Sequence, residues 1–509
     1  MKSAFLLPFP FLLISYLSCQ PQKSEIVQVN DSGEVLAKIH CASCHQYPNP
    51  SLLNKQSWKE YMLPRMGYML GIYENDKVRD SLIEAGSGGM LVETANIYPK
   101  DPVLDETSWQ KIQAFYLQTA PEKLTNKKTE TIETGLKHFK VVKPSLKLSP
   151  PSSTLVKFTE NHEIFIGDAH TKKLFHLNAN MELIKAGNVN EGAVSIDEIE
   201  NEIWITVMGS FSPTDAPKGF ILNLPKEGGK VANVPIGQLR RPVHSAYGDV
   251  TGDGLMDVVV SEFGKWTGRL SLFINQGNKV FERQTLINQT GAIRAYLKDF
   301  NKDGLLDIIS LFGQGNECMY ISYNLGNGKF QTKQILQFSP ANGSSYFNLF
   351  DFNNDGYDDI IYTAGDNADF KPIMKPYHGI YIFENNGENQ FTQTFFRQLN
   401  GAYAAIPNDF DLDGDWDIAA ISFFPNYKQS SEECFVYLEN NGGNSFTAST
   451  FHDNEIGRWL VMDAGDIDAD GDQDIILGSL AFEVIPKSNL VDRWIKEAIP
   501  FIILENTTN

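Results

Sequence analysis

Five short segments obey one rule, and that rule limits what most of the chain can fold into. They are DVTGDGLMD (Asp249–Asp257), DFNKDGLLD (Asp299–Asp307), DFNNDGYDD (Asp351–Asp359), DFDLDGDWD (Asp409–Asp417) and DIDADGDQD (Asp466–Asp474). Each has an oxygen-bearing side chain at positions 1, 3, 5 and 9, and glycine at position 6. Alternate side chains of a tight loop converge on one point, and glycine permits the sharp turn. The loop starts are 50, 52, 58 and 57 residues apart. A period of this size means a propeller or a solenoid.

The oxygen sets suit a hard cation, and calcium best matches so many oxygens on a flexible loop. They are Asp249, Thr251, Asp253 and Asp257; Asp299, Asn301, Asp303 and Asp307; Asp351, Asn353, Asp355 and Asp359; Asp409, Asp411, Asp413 and Asp417; and Asp466, Asp468, Asp470 and Asp474. Up to five calcium ions are expected, most strongly in the two Asp-rich loops at 409 and 466. A polar hairpin without metal does not account for four oxygen positions repeated five times. An EF-hand is excluded, because position 12 is Val260, Ser310, Tyr362, Ala420 or Leu477 where a bidentate Glu is needed. The loops run into β-type residues such as Val258-Val259-Val260 and Ile475-Ile476, so strands rather than helices follow them.

Further strand-like runs come next: Leu270–Ile274, Met319–Tyr323, Gly379–Phe383, Phe435–Leu438 and Phe501–Leu504. Asn-Gly-type turns and Phe-containing outer strands complete units of four strands, the size of a propeller blade. The loops with their trailing strands resemble the FG-GAP or VCBS repeats of integrin-alpha-type β-propellers, over residues 136–509. Two earlier units, around Glu163–Ile184 and Ser195–Met208, read as blades without metal, because Ile199 and Asn201 upset the oxygen order. Seven blades are expected. The last lacks an outer strand of its own, and Leu136–Leu148 can supply it and close the ring.

A separate motif lies upstream. Cys41-Ala42-Ser43-Cys44-His45 is CxxCH: two thiols placed for thioethers to one haem, followed by a proximal ligand to its iron. Zinc would need a second ligand pair, which the sequence lacks, and a thioredoxin-like site would need a βαβ unit. A helix over Gly33–Ile39, capped by Asp31 or Ser32, leads into the motif. A second begins near residue 107, carries Trp109, Ile112, Phe115 and Tyr116 at helical spacing, and is closed by Pro121. Residues 31–122 thus resemble a small cytochrome c domain, which implies one haem c and packing of the first helix on the last. Met66 after Trp58 is expected as the sixth iron ligand, with Pro64 breaking the helix there; Met90, on a loop after Gly88-Gly89, is the alternative. The expected fold class is therefore multidomain: a small all-α cytochrome c domain, a charged linker (123–135), and an all-β seven-bladed propeller.

Lys2, the apolar run Ala4–Leu17 and Cys19 read as a signal peptide (1–19), and Leu17-Ser18-Cys19 resembles a bacterial lipoprotein ending lipidated at Cys19. The expectation is an exported bacterial protein, periplasmic or at the cell surface, whose membrane contact is a lipid anchor alone. Cys318 and Cys434 are too few for a disulfide framework and are expected as two buried thiols, a single bridge being the alternative. The net charge of −20 argues against nucleic acid as a partner.

Inner-strand residues just upstream of the acidic loops include Arg241, His244, Arg294 and Arg458, with Tyr296, Tyr346 and Tyr403. They can line one mouth of the central channel and bind an anionic or carbohydrate ligand, or pair with structural carboxylates. The insert before Gly379 adds Asp366, Asn367, Asp369, Lys375 and His378. Three functions fit: an electron-transfer haem protein whose propeller binds a ligand or a redox partner protein; an oxidoreductase whose propeller oxidises a substrate and passes electrons to the haem; or an adhesion or glycan-binding module.

Overall fold

The computed structural model describes residues 32–125, 130–226, 233–367, 373–482 and 489–509. The signal segment, Cys19, Asp31, part of the linker and Asp369 lie outside the described residues. Among those described, no helix is long and apolar enough to cross a membrane.

Residues 153–188, 193–239, 242–287, 292–337, 344–398 and 402–450 form six successive antiparallel blades, each with four strands taken in chain order. The seventh joins Trp459–Gly465, Asp474–Ser479 and Phe501–Asn506 to Phe139–Val142, which enters from the other end of the chain. Phe139 pairs with Asn506 and Val142 with Ile503, so the ring closes as the sequence predicts. Inner strands of neighbouring blades touch all the way round, the seventh against the first.

Second strands lie between adjacent blades. Asp257–Glu262, Asp307–Phe312, Asp359–Ala364, Asp417–Ser422 and Asp474–Ser479 are buried along their whole length. This is why they read as unbroken apolar runs rather than alternating ones. Full burial of residues such as Ile309, Ile360 or Ile475 contributes about 1.5–3 kcal/mol each. Leu183–Asn188, an outer strand, is exposed throughout.

The linker is less free than its composition suggests. Glu133–Thr134 pairs parallel to the outer strand Phe446–Thr450 and makes a fifth strand in blade six. Nearby, Glu130 forms an ion pair with Arg397. An outer strand presents unpaired N–H and C=O groups, and a passing segment can satisfy them.

The N-terminal region is helical. Ser32 caps Gly33–His40, and Asp105 caps Glu106–Thr119. These two helices cross so closely that a Cβ on Gly33 would lie 2.1 Å from the Lys111 carbonyl oxygen. Leu36, Ala37, Cys41, Trp58, Trp109, Ile112 and Tyr116 share one small core. Pro64 does not break a helix. Residues 55–69 run on as one helix through it, and the turn just before it, Trp58–Met62, widens to a π turn.

Candidate metal centres and the central channel

The acidic loops join first strand to second in blades three to seven. Glycine at position 6 is left-handed in all five, with φ of 83°, 88°, 85°, 94° and 97° at Gly254, Gly304, Gly356, Gly414 and Gly471. Carboxylate oxygens of Asp409, Asp411 and Asp413 lie within 4.8 Å of one another, as do those of Asp466, Asp468 and Asp470. Asp409 Oδ1 is buried with no hydrogen-bond partner, which suits a cation there. The first three loops place Thr251, Asn301 or Asn353 at position 3, so each gathers one carboxylate fewer.

Position 9 has a second role that the sequence reading missed. Asp257, Asp307, Asp359, Asp417 and Asp474 are fully buried. One oxygen of each accepts the N–H of loop position 2, as in Asp307 with Phe300 (2.9 Å) and Asp474 with Ile467 (2.8 Å). The other accepts the N–H of an asparagine ending the third strand: Asn275, Asn324, Asn385, Asn440 or Asn506, at 2.7–2.8 Å. Two of those asparagines reach the previous blade, Asn324 donating to the Val250 carbonyl and Asn506 to that of Phe410, both at 2.7 Å. Burial raises these carboxyls, Asp359 and Asp417 to about 6 and Asp474 to about 7.

In the helical region Cys41 is buried and Cys44 exposed, and neither forms a disulfide. Burial pushes the Cys41 thiol up to about 11, unlike the acidic thiol of a redox CxxC pair. His45 Nδ1 lies 2.8 Å from the Gln46 carbonyl oxygen. A carbonyl only accepts, so Nδ1 carries the proton and the neutral ring keeps its lone pair on Nε2. Metal-bound histidines show the same arrangement. Met66 is half-buried against the core that contains Cys41. Met90 lies on the helix Ser87–Thr94, not on a loop, with 63% of its surface exposed. Cys318 and Cys434 are two separate buried thiols.

The four proposed channel residues occupy two levels. Arg241 and Arg458 precede the first residues of their inner strands and stand at the rim. Arg458 is buried, stacked 3.7 Å from the Phe423 ring centre and donating to the carbonyls of Phe423 and Phe482. Arg241 donates to the Phe211 carbonyl. Deeper, Arg294 donates to the hydroxyls of Tyr296 (2.7 Å) and Tyr346 (3.1 Å). His244 sits 6.0 Å from the Tyr296 ring, and burial, helped by Arg294, holds its pKa well below the usual value. Sequence reasoning missed three channel charges: Lys157, Asp197 and Asp463. Lys157 pairs with Asp463 at 3.1 Å, and burial pushes Asp197 up to about 6 despite Lys157 and Arg294. The detectable signal was a charge at the fifth position of the inner strand in blades one, two and seven.

Strands alternate in direction, so loops between second and third strands share the Arg241 rim, and the acidic loops occupy the opposite face. The helical region seats on the Arg241 side. Glu84 accepts from Thr214 Oγ1 and from the N–H of Asp215 (2.9 Å), and Tyr377 donates to the Leu52 carbonyl (2.9 Å). Tyr98 meets Trp266 edge-on, and Ile373 packs into the helical core.

The FG-GAP-like repeat family matches residues 249–310 and 299–362, covering three of the five loops. The chain is thus a seven-bladed β-propeller carrying FG-GAP-like repeats behind a helical N-terminal region. No curated protein matches the sequence. Similar solved structures include a streptogramin B lyase (13% identity, 72% of this chain and 97% of that one, TM-score 0.46). Others are virginiamycin B lyase from Staphylococcus aureus (11%, 72% and 98%, 0.45) and the dihydro-heme d1 dehydrogenase NirN in complex with DHE (14%, 88% and 84%, 0.37). Similarity at this level carries no argument about chemistry.

Proposed function

We propose that the chain is an exported haem c electron-transfer protein, lipid-anchored through Cys19, whose calcium-binding propeller docks a ligand or redox partner. The observation that carries this reading is His45: its Nδ1 proton is held on a main-chain carbonyl, beside two unpaired cysteines in CxxCH spacing. Cys41 and Cys44 would hold haem through thioethers, His45 Nε2 would be the proximal ligand, and Met66 the distal one, ahead of Met90. Haem, when bound, supplies a one-electron couple whose potential a thioether ligand raises. The close crossing at Gly33 supports the cytochrome c reading, because that family packs its first helix on its last. In the propeller, Asp409, Asp411 and Asp413, with Asp466, Asp468 and Asp470, are the strongest calcium ligands.

The oxidoreductase reading rests on a different observation, that the helical region seats on the channel-rim face. Lys157 and Arg294 are balanced by Asp197 and Asp463, which favours a neutral polyhydroxylated ligand over an anion.

The test is expression of the full chain with haem-maturation machinery. Haem is expected to stay with the denatured chain and to be lost in Cys41→Ser/Cys44→Ser. Haem extractable by acid-acetone from the wild type would end the reading. Met66→Ala is expected to abolish the Met–iron absorption band and Met90→Ala to leave it. Reduction of the haem by a sugar or alcohol would select the oxidoreductase.

A further inference from the structure

We propose that His138, Asp411 and Glu439 form a zinc-type divalent-cation site that ties blade six to blade seven at the seam of the ring. His138 immediately precedes the closing strand Phe139–Val142. Glu439 lies on the third strand of blade six, Phe435–Asn440, and Asp411 is position 3 of that blade's acidic loop. One ligand atom from each of the three lies within 4.8 Å of the others.

The orientation of the histidine points to a cation. The Thr508 hydroxyl lies 2.9 Å from Asn506 Oδ1, which can only accept, and 3.2 Å from His138 Nδ1. With its single proton on Asn506, Thr508 accepts from Nδ1–H, and the lone pair of the neutral ring falls on Nε2. Nε2 is shielded from solvent and has no hydrogen-bond partner. The ring lies beside two carboxylates, of which Glu439 also pairs with Lys137 at 3.7 Å, and a buried lone pair there is unfavourable unless a cation meets it. An imidazolium ion pair would be the alternative, but neither carboxylate hydrogen bonds to the ring. The main chain keeps the site in place, since the Thr507 N–H donates to the His138 carbonyl at 2.8 Å.

Donor chemistry selects the ion. One imidazole nitrogen with two carboxylates suits zinc and its neighbours, whereas calcium prefers oxygen alone. Asp411 also belongs to the oxygen trio of its own loop. A carboxylate has two oxygens and can serve two ions, so this site does not depend on calcium binding in the loop.

The test uses the full chain, stripped with chelator and dialysed against zinc and calcium, with metal content and melting measured. Wild type is expected to hold one zinc more than either His138→Ala or Glu439→Gln. Both variants should bind that zinc at least about tenfold more weakly, since even outer-shell partners of a metal site cost that much. Their calcium content should match wild type, whereas Asp413→Asn should lose calcium and keep the zinc. Added zinc should raise the melting temperature of wild type only. Equal zinc content and equal zinc-induced shifts in wild type and both variants would overturn the site. So would calcium rather than zinc being lost in His138→Ala. Should His138→Ala fail to fold, Glu439→Gln decides the matter, because it keeps the side chain's shape.

Discussion

Replacing Asp417 by alanine is expected to cost the metal-free propeller about 3 kcal/mol, and a loss should persist with calcium. Its carboxylate accepts from Phe410 N–H (3.2 Å), Asn440 N–H (2.8 Å) and the Tyr437 hydroxyl (2.7 Å). Asp417 is fully buried, so these donors cannot turn to water when it is removed. Each donor left unsatisfied costs about 1–3 kcal/mol, or roughly 6 kcal/mol for three. The substitution also removes a poorly solvated charge. Burial raises this carboxyl to about 6, and at about 1.4 kcal/mol per pKa unit that relief offsets close to 3 kcal/mol at neutral pH.

Trp459 packs in the same core as Phe410 and Tyr437, so tryptophan fluorescence during urea unfolding reports on this region. The comparison that matters is between chelator and calcium. If Asp417 clamps the loop to the third strand, the loss appears in both. If it serves only as a cation ligand, the loss appears in calcium and disappears in chelator. That second result, or a loss below about 1 kcal/mol in both conditions, would refute the clamp.

Acidification should stabilise the metal-free protein. Burial raises Glu317, Glu433 and Asp474 to about 7 in the folded state, above the ordinary carboxyl values of about 4 that the unfolded chain shows. The folded state therefore binds more protons between these limits, and stability falls as pH rises through about 4 to 7. Melting in chelator at pH 5.5 and 7.5 checks the sign, and a higher melting temperature at pH 7.5 would contradict it. Gly33→Val should disrupt the helical region alone: a Cβ there meets Lys111 O at 2.1 Å and Phe115 Cβ at 2.8 Å, an overpacking worth at least about 1–3 kcal/mol. Limited proteolysis should cut that region faster while the propeller's melt stays unchanged.

What the sequence made legible followed from local chemistry. Glycine at position 6, the unbroken Val and Ile runs, the cap before Gly33, and the missing outer strand of blade seven all depend on neighbours in the chain. What it hid depends on distant partners. An aspartate at position 9 looks the same whether it binds a cation or two main-chain N–H groups, and only the strand pairing brings Asn440 to Asp417. Position 4 also turns left-handed in every loop, even as Leu412 (φ 59°) and Ala469 (φ 65°), so tertiary packing overrides the preference for glycine there. Pro64 misled because a helix can run through a proline where the turn before it widens, as Trp58–Met62 does. Glu133–Thr134 read as linker because two residues carry no period, and a strand edge elsewhere recruits them.

The way the helical region attaches bears on how the two parts can work together. Asp215 is fully buried and accepts from the N–H groups of Lys265, Trp266 and Thr267 at 2.8–3.0 Å. That hub joins a loop of blade two to a loop of blade three. Glu84 of the helical region then accepts from the N–H of the same Asp215, and Tyr98 meets Trp266. Docking therefore uses loops that the propeller's own hydrogen bonds already hold in shape, so little ordering entropy is lost when the helices seat. Blade five adds a second anchor through Tyr377 and Ile373. Anchors on blades two, three and five lie on different sides of the ring, and a body held at separated points cannot rock about any one of them. On the haem reading proposed above, Cys41–His45 would therefore keep a set distance from the channel rim.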